Sequence, residues 1–214
     1  MGRVLLAIVL MGVLLVQSPV AEAMDWTRIV QMLRGSTVPL ACSLHQQHVC
    51  TAFSINQEEG LYLTAFHCTP KFVSAPDETG HVNEEEPLLD GKPLAIVFAN
   101  EEVDIAIVRG VKHRPALLPR TKTLEVGTEV GSYGYGYGLE APIFRTGVIS
   151  VFLKGPDNIE RYLVDNAFIM GMSGGPVVDR DGRVVGVNHK TDNWSGFSAS
   201  IRQILTSSQF WGSR

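Results

Sequence analysis

From Ser36 onward the chain is cut into short β-prone runs, and this limits it more than any other feature. The runs are Thr37–Ala41, Cys50–Ile55, Leu61–Ala65, Leu94–Phe98, Ile105–Val108, Ile143–Val151, Arg161–Val164, Val177–Val178 and Val184–Val187. Between them lie turn formers such as Asn56–Gly60, Asp90-Gly91-Lys92, Gly155–Asn158 and Asp179–Gly182. Asp-Gly between apolar runs is a strong hairpin signal, because both residues accept the positive φ that a tight two-residue turn requires. Many short strands at such spacing predict an all-β sandwich or a pair of barrels. The 21 glycines among 214 residues exceed the usual ~7% and fit a fold with many turns.

Arg114–Leu124 carries Pro115 and Pro119 and little periodicity. It reads as a linker between two β units, about 36–113 and 125–200. Asp25–Arg34 places Trp26, Ile29, Val30 and Leu33 on one side of a short amphipathic helix. Ile201, Ile204, Leu205 and Phe210 have helical spacing and predict a closing helix over about 200–211.

The first segment has a different job. Arg3 precedes an apolar run from Val4 to Val16, and Gln17–Ala23 ends in Ala21-x-Ala23. The run is shorter than the ~20 apolar residues of a spanning helix. A charged start, a short apolar stretch and small residues at the exit describe a secretory signal peptide over 1–23. The remaining chain, 24–214, is then secreted or periplasmic, in an oxidising compartment that permits disulfides. It carries no further long apolar run, so no stable membrane insertion is expected after signal removal. A net charge of −4 argues against nucleic acid as a partner, since that footprint is basic. The acidic run Glu84–Glu86 reads as a solvated loop.

Three segments carry chemistry. Thr64–Cys68 ends an apolar strand with His67; Val103–Val108 opens a strand with Asp104; Gly171–Val178 puts Ser173 in a glycine-rich turn before a strand. A serine hydroxyl is a weak nucleophile until a base takes its proton, and imidazole suits that task near neutral pH. The base in turn needs a carboxylate to fix its tautomer and stabilise the imidazolium. Glycines beside the serine let backbone N–H groups face a developing oxyanion, and those of Gly171 and Ser173 are the candidates. Singly, each residue reads as a cap, a structural histidine or a turn. Together, in the order His67, Asp104, Ser173, they point to acyl transfer.

These blocks resemble the chymotrypsin-like (trypsin-like) serine peptidases, and within them the HtrA-type branch without a PDZ domain. Thr64–Cys68 matches that family's T-A-x-H-C block, Asp104–Ala106 its D-I-A block and Gly171–Pro176 its G-x-S-G-G-P block. Leu88–Lys92 resembles the branch's hairpin ahead of the acid. Gly131–Gly138 resembles its glycine turn, followed by a strand at Thr146–Ser150. Val184–Asn188 and Gly196–Ala199 resemble the strands lining its cleft. The resemblance spans about Ser36–Ile201. It implies two six-stranded antiparallel β-barrels, flanked here by the N-terminal and C-terminal helices, with the active site between the barrels.

A rival pattern fails on context. Gly171-x-Ser173-x-Gly175 also fits the nucleophile elbow of α/β-hydrolases, but that motif continues into a helix and later an acid and a histidine. Here Pro176-Val177-Val178 predicts a strand, and the histidine that follows is His189. Met172 stands where zymogen-type members carry an aspartate, so activation by a freed N-terminus is not expected.

The resemblance implies a Cys50–Cys68 disulfide beside His67, leaving Cys42 unpaired; Cys42–Cys50 across a hairpin is the alternative. Cys42, His45, His48 and Cys50 form a compact cluster with a possible zinc reading, weakened by the competing disulfide, and neither metal nor cofactor is expected. The family's primary-pocket position is Ala167, with Phe168 beside it and Asn188 and His189 on the opposite wall. With no acid there, an uncharged P1 residue is expected; acidic P1 read by His189 is the alternative. The expected function is a secreted serine endopeptidase acting on polypeptide substrates through an acyl-enzyme. Its alternatives are a non-catalytic binding protein on the same fold and an esterase.

Overall fold

The computed structural model describes residues 25–41, 49–69, 88–110, 114–122, 124–154, 160–165, 168–191 and 196–200, with backbone alone at 49, 190, 191 and 196–200. In chain order the elements are α1 (Trp26–Ser36), β1 (Thr37–Ala41), β2 (Val49–Asn56), β3 (Leu61–Ala65), a 3-10 turn at Phe66–Cys68, β4 (Leu88–Leu89), β5 (Lys92–Pro93), β6 (Ala95–Asn100) and β7 (Ile105–Arg109). Then follow β8 (Glu129–Gly134), β9 (Ile143–Lys154), β10 (Glu160–Val164), β11 (Pro176–Asp179), β12 (Val184–Thr191) and β13 (Gly196–Ser200).

The strands form two curled antiparallel sheets, a chymotrypsin-like fold. The second closes as a six-stranded barrel in the order β10-β13-β12-β11-β8-β9. The first has the order β5-β4-β1-β2-β3-β7-β6. It holds seven strands where six are expected, because the Asp90-Gly91 turn makes a small hairpin of β4 and β5. Leu89 of that hairpin pairs with Leu40 on the β1 edge. Asp90 (φ 52°) and Gly91 (φ 73°) both take the positive φ expected of Asp-Gly. The signal segment, the closing helix over about 200–211, and Cys42, His45 and His48 lie outside the described residues.

β3 shows how strand periodicity builds two cores at once. Its five residues are all buried. Leu61 and Leu63 point into the core between the sheets, while Tyr62 points into the interior of the first sheet, as alternation along a strand requires. The inter-sheet core gathers Phe53, Leu63 and Ile107 from one sheet with Tyr133, Val178 and Val187 from the other. Ile29 and Leu33 of α1 enter the same core with no exposed surface; burying each such side chain contributes about 1.5–3 kcal/mol.

The helix is pinned at its start as well. Trp26 Nε1–H donates to Glu129 Oε1 at 2.9 Å, and the Arg180 guanidinium lies 4.5 Å above the Trp26 ring. Arg180 also grips both oxygens of Glu129, at 2.8 and 2.9 Å. Hydrogen bonds from Arg180 and then Trp26 hold the Glu129 carboxyl below its ordinary pKa.

Residues 114–122 run between the sheets as a strap with partners on both. Leu117 is buried and its N–H donates to the Ser54 carbonyl on β2, while Pro119 bridges Val184 on β12. Arg120 forms an ion pair with the buried carboxylate of Asp179.

Candidate functional site

His67 sits in the single 3-10 turn that ends β3. Cys68 beside it is fully buried and bonded to Cys50 across 18 residues, with Cα atoms 5.9 Å apart. The turn is therefore clamped to β2, while the His67 side chain stays 47% exposed.

Asp104 opens β7 from the turn after β6, with φ of 52°, a left-handed conformation that costs a non-glycine residue about 1–3 kcal/mol. Its contacts offset that strain. The Phe66 N–H donates to the Asp104 carbonyl at 3.1 Å. The His67 N–H donates to Oδ1 at 2.8 Å, and His67 Nδ1 lies 2.7 Å from Oδ2. His189 Nδ1 bonds the same Oδ2. Burial of Asp104 pushes its pKa up. The hydrogen bonds from His189 and from the ring and backbone of His67, with the His67 charge, outweigh this and hold the carboxyl well below the usual carboxylate range.

Ser173 lies in the turn that feeds β11, pressed against the first sheet. Its carbonyl accepts from the Thr51 N–H at 2.8 Å and lies 3.7 Å from Cys68 Sγ. The next residue, Gly174, has φ of +81°, and a Cβ there would sit 2.2 Å from the Thr51 carbonyl oxygen. Only a glycine lets the turn come this close to β2 and β3. His67, Asp104 and Ser173, remote in sequence, thus share one junction of the two sheets.

Among the described residues, two N–H groups of this turn have no acceptor. Tyr137 N–H donates to the Met170 carbonyl at 2.8 Å. Gly175 N–H (2.9 Å) and Asn188 Nδ2 (3.1 Å) both donate to the Met172 carbonyl. In a trans peptide the N–H points opposite to the C=O. The Gly171 and Ser173 N–H groups are therefore directed away from those partners, and among the described residues neither donates to an acceptor.

The expected pocket residues are put to other uses. Ala167 lies outside the described residues. Phe168 is buried in the barrel core with Val130, Tyr162 and Val177. Asn188 is buried beneath the Ser173 turn, its Oδ1 accepting from Ser132 Oγ at 2.9 Å and its Nδ2 donating to the Met172 carbonyl. His189 faces Asp104. Asn188 and His189 therefore do not form a common pocket wall. Met172 is fully buried in the same core, an apolar anchor where zymogen-type relatives carry an aspartate.

Among the described residues, two clusters have metal-ligand composition, Cys50–His67–Cys68 and His67–Asp104–His189. In the first, the sulfurs are bonded to each other and offer no thiolate. In the second, Nδ1 of His67 and Oδ2 of Asp104 are 2.7 Å apart. That is hydrogen-bond spacing, closer than the ~3.3 Å between neighbouring ligands implied by bonds of about 2.0–2.1 Å to a tetrahedral ion.

Residues 50–187 match the family described as trypsin-like peptidase domain. The chain belongs to that family. This trypsin-like peptidase is 26% identical over 167 residues to the magnetosome formation protease MamE of Paramagnetospirillum magneticum; the match covers 72% of this chain and 22% of MamE. The chain thus spans about a fifth of that relative's length. Among solved structures it resembles the active form of the Rv3671c protease from M. tuberculosis, with a TM-score of 0.66 and 23% identity over 87% of this chain and 85% of that one. It also resembles the HtrA-type protease AlgW with a tripeptide, at TM-score 0.66 and 19% identity, covering 86% and 62% of the two chains. Similarity at that level establishes the fold.

Two residues of the trypsin-like peptidase site escape the sequence reading. Thr51 was expected only as a strand residue, yet its Oγ1 donates to the Gly171 carbonyl and accepts from the Tyr135 N–H, both at 2.9 Å. It ties β2 to both loops of the second barrel. His189 was assigned to the same wall as Asn188, although consecutive strand residues face opposite sides. That alternation was the available signal. The structure adds a bulge, since Asn188 pairs with Ser198 and Lys190 with Phe197, leaving His189 as the extra residue; bulges re-aim side chains in this way.

Proposed function

We propose that this trypsin-like peptidase is an exported serine endopeptidase, with Ser173 as nucleophile, His67 as general base and acid, and Asp104 as the orienting carboxylate. The observation that carries this reading is the double grip on His67: Asp104 holds its backbone N–H with one oxygen and its Nδ1 with the other. A carboxylate kept ionised at Nδ1 fixes the proton there and leaves Nε2 as the basic atom. Ser173 Oγ then attacks the scissile carbonyl while its proton passes to Nε2. The oxyanion is met by the free N–H groups of Gly171 and Ser173. The imidazolium returns the proton to the leaving amine, and water repeats the sequence to release the acyl group and regenerate Ser173.

The leader over 1–23 and the Cys50–Cys68 bridge support export to an oxidising compartment, and no helix among the described residues is long and apolar enough to cross a membrane. Substrates are polypeptide segments, cut after an uncharged residue because the pocket position holds Ala167. Under the acidic-P1 alternative only Nε2 of His189 is left to read the substrate, since Nδ1 bonds Asp104. The proposed barrel units span about 36–113 and 125–200. The test is labelling of the purified protein with a fluorophosphonate probe, alongside hydrolysis of an unfolded protein substrate. Ser173 should carry the label, and Ser173→Ala should abolish both signals. An unlabelled Ser173, or full hydrolysis by Ser173→Ala, overturns the proposal.

A further inference from the structure

We infer that His189 is a positioning residue of the active site, holding the Asp104 carboxylate in place for His67 through its Nδ1–H. The inference rests on the serine peptidase reading above and deepens it. Among the described residues the Asp104 carboxylate has three donors: the His67 N–H on Oδ1, and the Nδ1 atoms of His67 and His189 on Oδ2. An ionised carboxylate only accepts, so both imidazoles present Nδ1–H to that oxygen and keep their Nε2 atoms for other work. Two donors on Oδ2 occupy both of its lone-pair directions. Two of the three donors come from His67 itself, so neither is independent of the residue being positioned. The independent anchor is His189, delivered from β12 of the other barrel by the bulge between Asn188 and Lys190.

That origin matters for alignment. His67 and Asp104 both belong to the first sheet and could move together relative to Ser173, whose turn leads into the second. Asn188, next to His189, grips that turn by three bonds: its carbonyl accepts from the Gly174 N–H at 2.7 Å, its own N–H donates to the Gly175 carbonyl at 2.8 Å, and its Nδ2 donates to the Met172 carbonyl. Through adjacent residues β12 therefore holds the nucleophile turn with Asn188 and the carboxylate with His189. The rings of His67 and His189 lie with centroids 6.4 Å apart, so His189 approaches the carboxylate without stacking on the base. Its side chain is 23% exposed, so most of it is packed away from solvent.

Substitutions that separate the donor from the ring provide the test. Asn places an amide nitrogen on the atom bonded to Cγ, in register with Nδ1; Gln places it one bond farther; Leu supplies bulk and no donor. His189→Leu and His189→Gln should lower kcat about tenfold or more, the scale of a hydrogen bond to a charged group, with KM within about twofold. His189→Asn should recover most of that loss. The wild-type protein labelled at histidine nitrogen should show two strongly deshielded Nδ1–H resonances; His189→Asn removes one and leaves that of His67. Equal kcat in the Asn and Gln variants, or a single such resonance in the wild type, overturns the inference. The spectrum and the Asn–Gln pair decide the matter even where the Leu variant does not fold. Wild-type protein that labels at Ser173 while His189→Gln keeps wild-type kcat overturns this inference alone, whereas an unlabelled wild type overturns the peptidase reading and this inference together.

Discussion

Adding one methyl group at Gly174 should cost more than at any open turn of the molecule, and the structure gives the size. Gly174 has φ of +81°, and a Cβ there would lie 2.2 Å from the Thr51 carbonyl oxygen, 2.3 Å from Thr64 Oγ1 and 2.8 Å from the Ala65 nitrogen. The left-handed backbone alone costs an L-residue about 1–2 kcal/mol. Forcing a methyl into a packed site adds about 1–3 kcal/mol, and here two of the three obstructing atoms are backbone atoms of neighbouring strands. Gly174→Ala should therefore lose about 2–5 kcal/mol, a fall in Tm of roughly 4–20 °C for a chain of this size. Two other glycines isolate the terms. Gly91 has φ of +73° and nothing within 4 Å, so Gly91→Ala should show the backbone term alone. Gly35 lies in α1 with nothing within 4 Å, and Gly35→Ala should gain about 0.5–1 kcal/mol. The assay is urea denaturation of all three, with fluorophosphonate labelling below each transition. Because the clash falls on Thr51, whose N–H holds the Ser173 carbonyl, labelling should slow in Gly174→Ala and not in Gly91→Ala. A Gly174→Ala protein as stable as Gly91→Ala, or labelled at the wild-type rate, refutes the reasoning.

Asp104→Asn should lower kcat/KM by about 10⁴ with the fold retained, because the amide no longer fixes the proton on Nδ1; steady-state kinetics with circular dichroism checks both parts. Since folding lowers the Asp104 pKa from its ordinary 3.8, its contribution to stability is full above that value and shrinks as the pH falls further. The stability gap between wild type and Asp104→Asn should narrow below about pH 4, and a gap that widens on acidification contradicts the assignment. Serines at both Cys50 and Cys68 should cost about 3 kcal/mol, the scale for a closed loop of this length, seen as a lower urea midpoint. Trp26→Ala should cost about 2–4 kcal/mol, less than the ~3–5 of a fully buried ring, and should weaken protection of β8 in hydrogen exchange.

The fold and the blocks that carry His67, Asp104 and Ser173 were legible because their signals are local. Asp90-Gly91 announces its own turn, β3 carries its alternation in five consecutive residues, and Ser173 is framed by glycines that the close approach to Thr51 requires. What was not legible depends on register. Whether His189 faces a pocket or Asp104 is decided by one unpaired residue in β12, and a bulge has no composition of its own. Thr51 looks like any β-branched strand residue until the second barrel arrives opposite it. β8 was read as part of a glycine turn, since Gly131-Ser132-Tyr133-Gly134 lacks an apolar run. Its Gly131 is instead a packing requirement, because a Cβ there would lie 2.6 Å from Phe144 and 2.8 Å from Trp26.

The seating of α1 also bears on how the chain folds in time. Trp26 reaches Glu129 across 103 residues, and the core that receives Ile29 and Leu33 includes Val178, Val184 and Val187. The first described element thus finds its final contacts only after β8, β11 and β12 exist. Contacts of such sequence separation raise contact order and slow folding, since loop closure must precede any gain from burial. On a ribosome supplying about 5–20 residues per second, α1 waits several seconds for these second-sheet partners, leaving Ile29 and Leu33 incompletely covered. The helix that joins the two sheets in the finished molecule is therefore fully seated only late in synthesis.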